Sequence, residues 1–261
     1  MNLLPLEPGE LFLASGDWRA RHVRKVLRLG PGDEVRAGVV GGAVGTATIT
    51  SRSSDGISLS FRPERDPAPL AAVELLLGHP RPIVLRRLLR DLSSIGPGRI
   101  VVVPTALGEQ SYYRSNVWDD IRSPLVEGAA QGGSTLIPRV VREATLEEGI
   151  AAIGSPAGAR FVLHGESTDP GSTRIPLLQR LRALGPSAPG ATTPGPERSA
   201  RVCVAVGSER GWVARELAAL RDAGFVAASL GTRILRTETA ALVAVWTAAA
   251  WCEGGQQEGS A

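Results

Sequence analysis

From about residue 72 onward, short runs of consecutive apolar residues alternate with longer segments whose apolar positions recur at helical spacing. The runs Val73–Leu77, Ile100–Val103, Arg160–Leu163, Arg201–Val206 and Val226–Leu230 predict strands. Short strands of near-continuous Val, Ile and Leu belong to sheets buried on both faces, which are mostly parallel. The spacing predicts helices over Ile83–Ile95, Trp118–Ala130, Leu146–Ile153, Pro176–Leu184, Trp212–Ala223 and Thr237–Trp251. Strands and helices in alternation make an open α/β domain, here residues 72–252.

Residues 1–68 carry a different pattern. Three β-type runs, Glu34–Val40, Gly45–Thr50 and Gly56–Phe61, are separated by the turn signals Gly30-Pro-Gly-Asp33, Gly41-Gly42 and Ser53-Ser-Asp-Gly56. A helix is predicted before them, with Val23, Val26 and Leu27 on its core face and Arg21, Arg24, Lys25 and Arg28 on the other. Arg62–Pro69 reads as the linker between the two units. Within the α/β domain, residues 185–200 have the Pro, Gly, Ser and Thr composition of a flexible insertion, and 253–261 read as a disordered tail.

Composition narrows the class. A hydrophobic share of 43% in 261 residues is enough for a sizeable core. No N-terminal stretch has the layout of a secretory signal, and the most apolar segment, Ala240–Trp251, is too short to cross a bilayer. Cys203 and Cys252 make no disulfide framework. The expectation is a cytoplasmic protein with no membrane partner. Net charge is only +3, yet the cations cluster: Arg19, Arg21, Arg24, Lys25 and Arg28 form one group and Arg81, Arg86, Arg87 and Arg90 another. Such clusters in a nearly neutral chain are a footprint for nucleic acid.

The candidate chemistry lies at three strand ends: His164-Gly-Glu-Ser167, Gly207-Ser-Glu-Arg-Gly211 and the loop from Leu230 to Thr239. The C-terminal ends of parallel strands share one edge, where ligands bind, and glycines there let a backbone approach and read a heterocycle. The third loop packs Arg233, Arg236, Thr237, Glu238 and Thr239 between two apolar elements, a costly arrangement unless those groups meet a ligand or one another. Other fingerprints are missing. No G-x-G-x-x-G follows the first strand, no Gly-Lys-Ser/Thr closes a phosphate loop, no Gly-x-Ser-x-Gly elbow occurs, and no His, Cys or carboxylate set has metal-ligand spacing.

The run Ser229-Leu-Gly-Thr-Arg-Ile-Leu-Arg-Thr-Glu-Thr-Ala-Ala-Leu242 resembles the signature of the bacterial 16S ribosomal RNA uridine-N3 methyltransferase family, within the knotted SPOUT superfamily. Arg21-His-Val-Arg-Lys-Val-Leu-Arg28, Glu127-Gly-Ala-Ala-Gln131, Ile137-Pro138 and Val204-Ala-Val-Gly-Ser-Glu-Arg-Gly-Trp212 are similar to further family pieces, in the same order. The chain departs from the pattern at Ser208, where the family has proline, and at Arg210, where it has glycine. It departs again at Asp91 and Ser94, in place of lysine and glutamate, and at Ser134, in place of arginine. The resemblance implies a PUA-like β-barrel followed by an α/β domain tied in a trefoil knot. It further implies S-adenosylmethionine as methyl donor, a homodimer, no metal, and methylation of N3 of one uridine in 16S rRNA of the small ribosomal subunit. Two rival readings stay open from the residues: a knotted methyltransferase with another target, such as a ribose 2′-hydroxyl, and an RNA-binding protein with a decayed donor pocket.

Under that resemblance the site residues take roles. N3 of uridine holds its proton at neutral pH, so its methylation requires proton removal and stabilisation of a uracil anion. Arg236 is the candidate for orienting the target and stabilising the anion, against a structural pairing with Glu238. Glu238 either accepts the proton or serves the first turn of the last helix. Cofactor contacts are expected from His164, Gly165, Glu166, Gly207, Glu209, Gly211, Leu230, Gly231, Ile234, Leu235 and Thr239, the last of these also a possible capping hydroxyl. RNA contacts are expected from Arg21, His22, Arg24, Lys25 and Arg28. Ala244, Ala248 and Ala249 are expected to permit close helix approach at a dimer contact.

Overall fold

The computed structural model describes residues 2–153, 158–164, 175–185 and 202–257. Gly165, Glu166, almost all of the 185–200 insertion and residues 258–261 lie outside the described residues.

The N-terminal unit is a five-stranded sheet of β1 (Leu4–Leu6), β2 (Phe12–Ala14), β3 (Glu34–Val39), β4 (Val44–Arg52) and β5 (Gly56–Arg65), ordered β1-β3-β4-β5-β2. Register shifts at Val44/Gly45 and Ile49/Ser51 bend β4 and help the sheet curl. Inside the curl lie Leu4, Leu6, Leu13, Ala37, Ala47, Ile49, Ile57 and Leu59. Two strands escaped the sequence reading, β1 and β2, because at three residues each they are too short to show alternation. The expected linker also shrinks: its first residues, Arg62–Arg65, continue β5.

The helix of this unit corrects a second expectation. It begins as α1 (Trp18–His22), capped by the Asp17 carboxylate, and widens over Val23–Leu27 into a π-helical turn that ends at Arg28 with φ +58°. Ala20 and Val23 are buried, but the wider turn rotates Val26 and Leu27 outward, to 64% and 37% exposure. The apolar spacing assumed an α-helical period that stops at His22.

The larger unit is a six-stranded, all-parallel sheet. In chain order its elements are β6 (Ala71–Gly78), α2 (Pro82–Ile95), β7 (Pro97–Val103), α3 (Gln110–Tyr113), a 3-10 turn (Asn116–Asp120), α4 (Arg122–Gly132) and β8 (Arg139–Arg142). There follow α5 (Leu146–Ala152), β9 (Ala159–Leu163), α6 (Leu177–Ala183), β10 (Val202–Val206), α7 (Ala214–Asp222), β11 (Val226–Ala228) and α8 (Thr237–Gln257). The strands lie in the order β11-β9-β10-β6-β7-β8. Val73, Leu75 and Leu77 of β6 face α2, α6 and α8, while Leu76 joins Val101, Cys203 and Ala205 against α5 and α7. Burial on both faces explains the near-continuous apolar runs. Strand β8 was missed because Arg139 and Arg142 flank only two apolar residues. Helix α8 runs on past Trp251, its expected end, and into the expected tail as far as Gln257.

Helix α2 sets Leu85, Leu88, Leu89 and Leu92 at i, i+3, i+4 and i+7 toward Ala241, Ala244, Val245, Ala248 and Ala249 of α8. The small residues of α8 therefore serve packing within the chain, which corrects their expected place at a dimer contact. Its exposed side carries Val243 and Trp246 instead.

The small unit docks on α4 and the segment after it. Arg122 makes a two-pronged ion pair with Glu7 at 2.6 and 2.7 Å, and Asn2 donates to the Gln131 carbonyl at 2.7 Å. Buried Thr135 donates to the Gly42 carbonyl at 2.6 Å and accepts at its own carbonyl from Gly41 N–H at 2.9 Å. Among the described residues no helix is long and apolar enough to cross a membrane.

Candidate active site

Strands β11, β9 and β10 are neighbours, so their C-terminal ends form one continuous rim. Val206, Leu163 and Ala228 are in register across it, and the three loops singled out in the sequence leave from these positions. The rim is tied together by main chain. His164 N–H donates to the Ala228 carbonyl at 3.4 Å, Ser229 N–H to Ile175 O at 3.1 Å, and Leu177 N–H to Ser229 O at 2.8 Å. The chain leaving β11 is thus pinned beside the start of α6.

The loop after β10 is built against β6. Gly78 has no room for a side chain: an added Cβ would lie 2.5 Å from Ser208 N and 2.6 Å from the Thr105 methyl. Ser208 is buried, and its hydroxyl lies 2.8 Å from that of Thr105. The two hydroxyls satisfy each other in a place where an unpaired one would be costly. Glu209 reaches the other way, accepting at 2.9 Å from the N–H of Arg81, the residue that opens α2. Behind this loop, buried Glu216 accepts from Val213 N–H at 2.8 Å and Ala106 N–H at 2.7 Å, joining the loops after β10 and β7.

The loop after β11 is mostly open to solvent. Gly231, Arg233, Ile234 and Arg236 are exposed, Ile234 at 96%, and Thr239 is exposed on the first turn of α8. Leu230, Leu235 and Glu238 are half-buried, and only Thr237 is buried. The expected crowding of charge between buried elements gives way to an exposed loop with a buried anchor. Arg236 and Glu238 make no side-chain ion pair or hydrogen bond with any described residue, so the structural pairing of Arg236 with Glu238 is absent. Glu238 lies in the first turn of α8, where the helix dipole favours a carboxylate.

A methyl donor fits this rim. Gly231 holds φ +118°, a backbone state that side chains rarely adopt, and an added Cβ there would meet open space, as it would at Gly211 with φ +71°. Glycine backbone facing free volume is what a ligand read through N–H and C=O groups requires. Among the described residues no group of three or more His, Cys, Asp or Glu is placed to hold a metal ion.

The basic segment at α1 divides into two kinds of cation. Arg24 is spent on structure, donating to the Ser53 carbonyl at 2.5 Å and the Gly56 carbonyl at 2.9 Å, which braces the β4–β5 turn. Arg19 is likewise enclosed, by Glu10 and Asp17, each at 2.6 Å. Burial raises the Asp17 carboxyl, but hydrogen bonds from Arg19 and the charges of Arg19 and Arg21 outweigh it and hold the group below its ordinary value. Arg21, Lys25 and Arg28 are exposed and make no ion pair among the described residues. Half-buried His22 has its Nε2 enclosed without a partner, and burial lowers its pKa.

Sequence reasoning missed a second group on the same rim. His79, just past β6, accepts at Nε2 from Trp118 Nε1–H at 3.2 Å, which leaves Nδ1–H to donate to the Pro80 carbonyl at 2.6 Å. The imidazole is therefore neutral, and burial lowers its pKa. Arg142 lies 4.9 Å from the centroids of both Tyr113 and Trp118. No local pattern could have joined these residues, which come from three separate segments.

Residues 66–249 match the model of the RNA methyltransferase domain. A curated relative from Treponema pallidum, ribosomal RNA small subunit methyltransferase E, is 33% identical over 252 residues, covering 94% of this chain and 89% of the relative. The chain belongs to the ribosomal RNA small subunit methyltransferase E family. Two solved structures share its fold. One is a probable rRNA methyltransferase from Porphyromonas gingivalis, with TM-score 0.71, 19% identity and coverage of 98% of this chain and 99% of that one. The other, from Neisseria gonorrhoeae, is a ribosomal RNA small subunit methyltransferase E bound to S-adenosyl methionine, with TM-score 0.66, 21% identity and coverage of 93% and 95%. In this methyltransferase E family member, the matched domain begins at the end of β5 and reaches into α8.

Proposed function

We propose that the protein transfers a methyl group from S-adenosylmethionine to N3 of one uridine in 16S rRNA of the small ribosomal subunit. Family membership supports RNA methylation, and the names of relatives supply the small-subunit rRNA and the donor. The observation that carries the reading is the single rim formed by the loops after β9, β10 and β11, with the arginine-bearing 230–239 segment on it. The donor supplies an electrophilic methyl group on a sulfonium; everything else falls to the chain.

Backbone groups of Leu230, Gly231, Ile234 and Leu235 form the wall for the adenine, and the Gly207–Gly211 loop, folded tightly on itself at Gly207 and open at Gly211, meets the ribose and methionine parts. His164 and Thr239 close the remaining side; Gly165 and Glu166, also expected as cofactor contacts, lie outside the described residues. Glu209 acts by fixing its loop to α2, since its carboxylate already holds Arg81 N–H. Arg236, exposed and without an ion-pair partner among the described residues, meets the uracil and stabilises the anion left when N3 loses its proton, and Glu238 is the nearby carboxylate able to take that proton. Arg21, Lys25 and Arg28, with His22, contact the RNA backbone from the small unit.

The finer fold belongs to this reading too: the curled sheet is a PUA-like barrel, and the pinning of the β11 exit beside α6 is part of a trefoil knot. The protein works in the cytoplasm as a homodimer without metal, with exposed Val243 and Trp246 of α8 meeting the partner.

The deciding experiment incubates protein and labelled donor with small subunits from a strain lacking the modification. Label on a uracil N3 is expected. Label on a ribose oxygen or any other atom overturns the proposal, and absence of donor binding by an intact protein leaves only an RNA-binding role.

A further inference from the structure

The group around Arg142 is a second built feature of the rim. Its guanidinium carbon stands 4.9 Å from the ring centres of Tyr113 and of Trp118, and Nη1 donates to the Tyr113 carbonyl at 3.0 Å. Trp118 is itself fixed by its bond to His79, which packs edge-on to it at 5.5 Å. Two aromatic faces and a carbonyl thus hold one cation in place on an exposed surface. Glu143 and Glu148 act on the Tyr113 ring from nearby, Glu148 accepting from Ala144 N–H at 2.9 Å, but neither carboxylate makes an ion pair with Arg142. Exposed Arg81 and Arg114 flank the group and also form no ion pair among the described residues.

The position relative to the reaction rim follows from strand register. Arg142 pairs with Val102, Val102 with Leu77, and Leu77 with Val206, the residue before the Gly207–Gly211 loop. Arg142 therefore stands on the same edge, three strand spacings from that loop, or roughly 14 Å. A cation held ready there, with N–H donors left over beyond the Tyr113 carbonyl and no carboxylate partner among the described residues, is suited to an oxyanion arriving along the rim. Guanidinium groups take phosphate in a two-pronged planar geometry, and a group already immobilised loses little entropy in doing so.

We propose that Arg142, clamped by Tyr113 and Trp118, binds a phosphodiester of the RNA strand that flanks the target nucleotide. The inference rests on the reading of RNA as substrate. RNA would then run from the cations of α1, along the 230–236 loop, to the β8 end of the sheet, and Arg142 would fix how far the strand extends beyond the reacting base.

The test compares wild type with Arg142→Gln and Arg142→Lys. Affinity for unmodified 16S rRNA is measured by filter binding over a range of salt, beside donor affinity, melting temperature and the KM for unmodified small subunits. Arg142→Gln should weaken RNA binding about tenfold. It should also make the log–log salt dependence shallower by about one charge. Donor affinity should stay unchanged and melting should fall only modestly, by the lost ring contacts and the Tyr113 bond, with the RNA loss appearing in KM rather than kcat. Arg142→Lys should keep the wild-type salt slope while losing part of the affinity, because an ammonium cannot lie flat between the rings. An unchanged slope for Arg142→Gln overturns the proposal, whether affinity holds or falls. Wild-type protein that neither binds nor methylates rRNA overturns the function reading, and this one with it.

Discussion

The hydroxyl of Ser208 lies 2.8 Å from that of Thr105, buried between the loop after β10 and the loop after β7. Each hydroxyl offsets the cost of burying the other. Ser208→Ala or Thr105→Val alone should destabilise by about 1–3 kcal/mol, since each strands one hydroxyl. The double substitution should recover part of that loss. Denaturant unfolding of the four proteins checks it, and strictly additive losses would mean the contact contributes nothing.

Arg236 is exposed and without an ion-pair partner among the described residues, so its removal should cost the fold little. Arg236→Ala should lower turnover by about 100-fold or more if the guanidinium stabilises the uracil anion. Its melting temperature should stay within about 1 °C of wild type, as expected for an unpartnered surface position. Turnover that survives the substitution removes Arg236 from the reaction.

The cations of α1 should separate by role. Arg24→Ala should destabilise the small unit by about 1–3 kcal/mol, because it frees two carbonyls and leaves the β4–β5 turn unbraced. Replacing Arg21, Lys25 and Arg28 together with glutamine should leave stability near wild type. RNA affinity should fall, with a salt dependence shallower by up to about three charges. Circular dichroism melts and salt-titrated RNA binding distinguish the two patterns.

Acid should loosen the His79 cluster. Burial, helped by Arg142, pushes the imidazole below its ordinary 6.5, against the opposing pull of the Pro80 carbonyl and Glu209. The unfolded chain then takes up a proton that the folded chain refuses, so this contribution is complete above about pH 6.5 and is lost as pH falls toward the folded value. Protonation would also turn Nε2 from acceptor to donor and break the bond from Trp118. Melting temperatures should fall between about pH 6.5 and 5, and His79→Gln should flatten that slope relative to wild type. His22 is shifted in the same direction and stays present in both proteins, so the difference isolates His79.

Much of this molecule was legible in its sequence. The apolar runs that marked β6, β7, β9 and β10 are covered by helices on both faces, so their patterning was unambiguous. The 207–211 and 230–239 loops stood out because glycine and charge interrupt apolar elements there. Strands β1, β2 and β8 did not, being three or four residues long with no period to read. The π-helical turn at Val23–Leu27 defeated an α-helical count and turned Val26 and Leu27 to solvent.

Which polar groups are free for chemistry was decided only in three dimensions. Sequence placed Arg24 among the RNA cations and Glu209 beside the cofactor, and marked Ser208 only as a departure from the family pattern. Their side chains are held instead by partners from distant segments, Thr105 being 103 positions from Ser208 and Arg81 128 from Glu209. Hydrophobic periodicity is written locally, because a strand or helix buries one neighbour after another along the chain. Hydrogen bonds between loops depend on which strands lie side by side, and the order β11-β9-β10-β6-β7-β8 is a property of the folded sheet. That order sets Arg142 on the same edge as the three loops, three strands from the loop after β10.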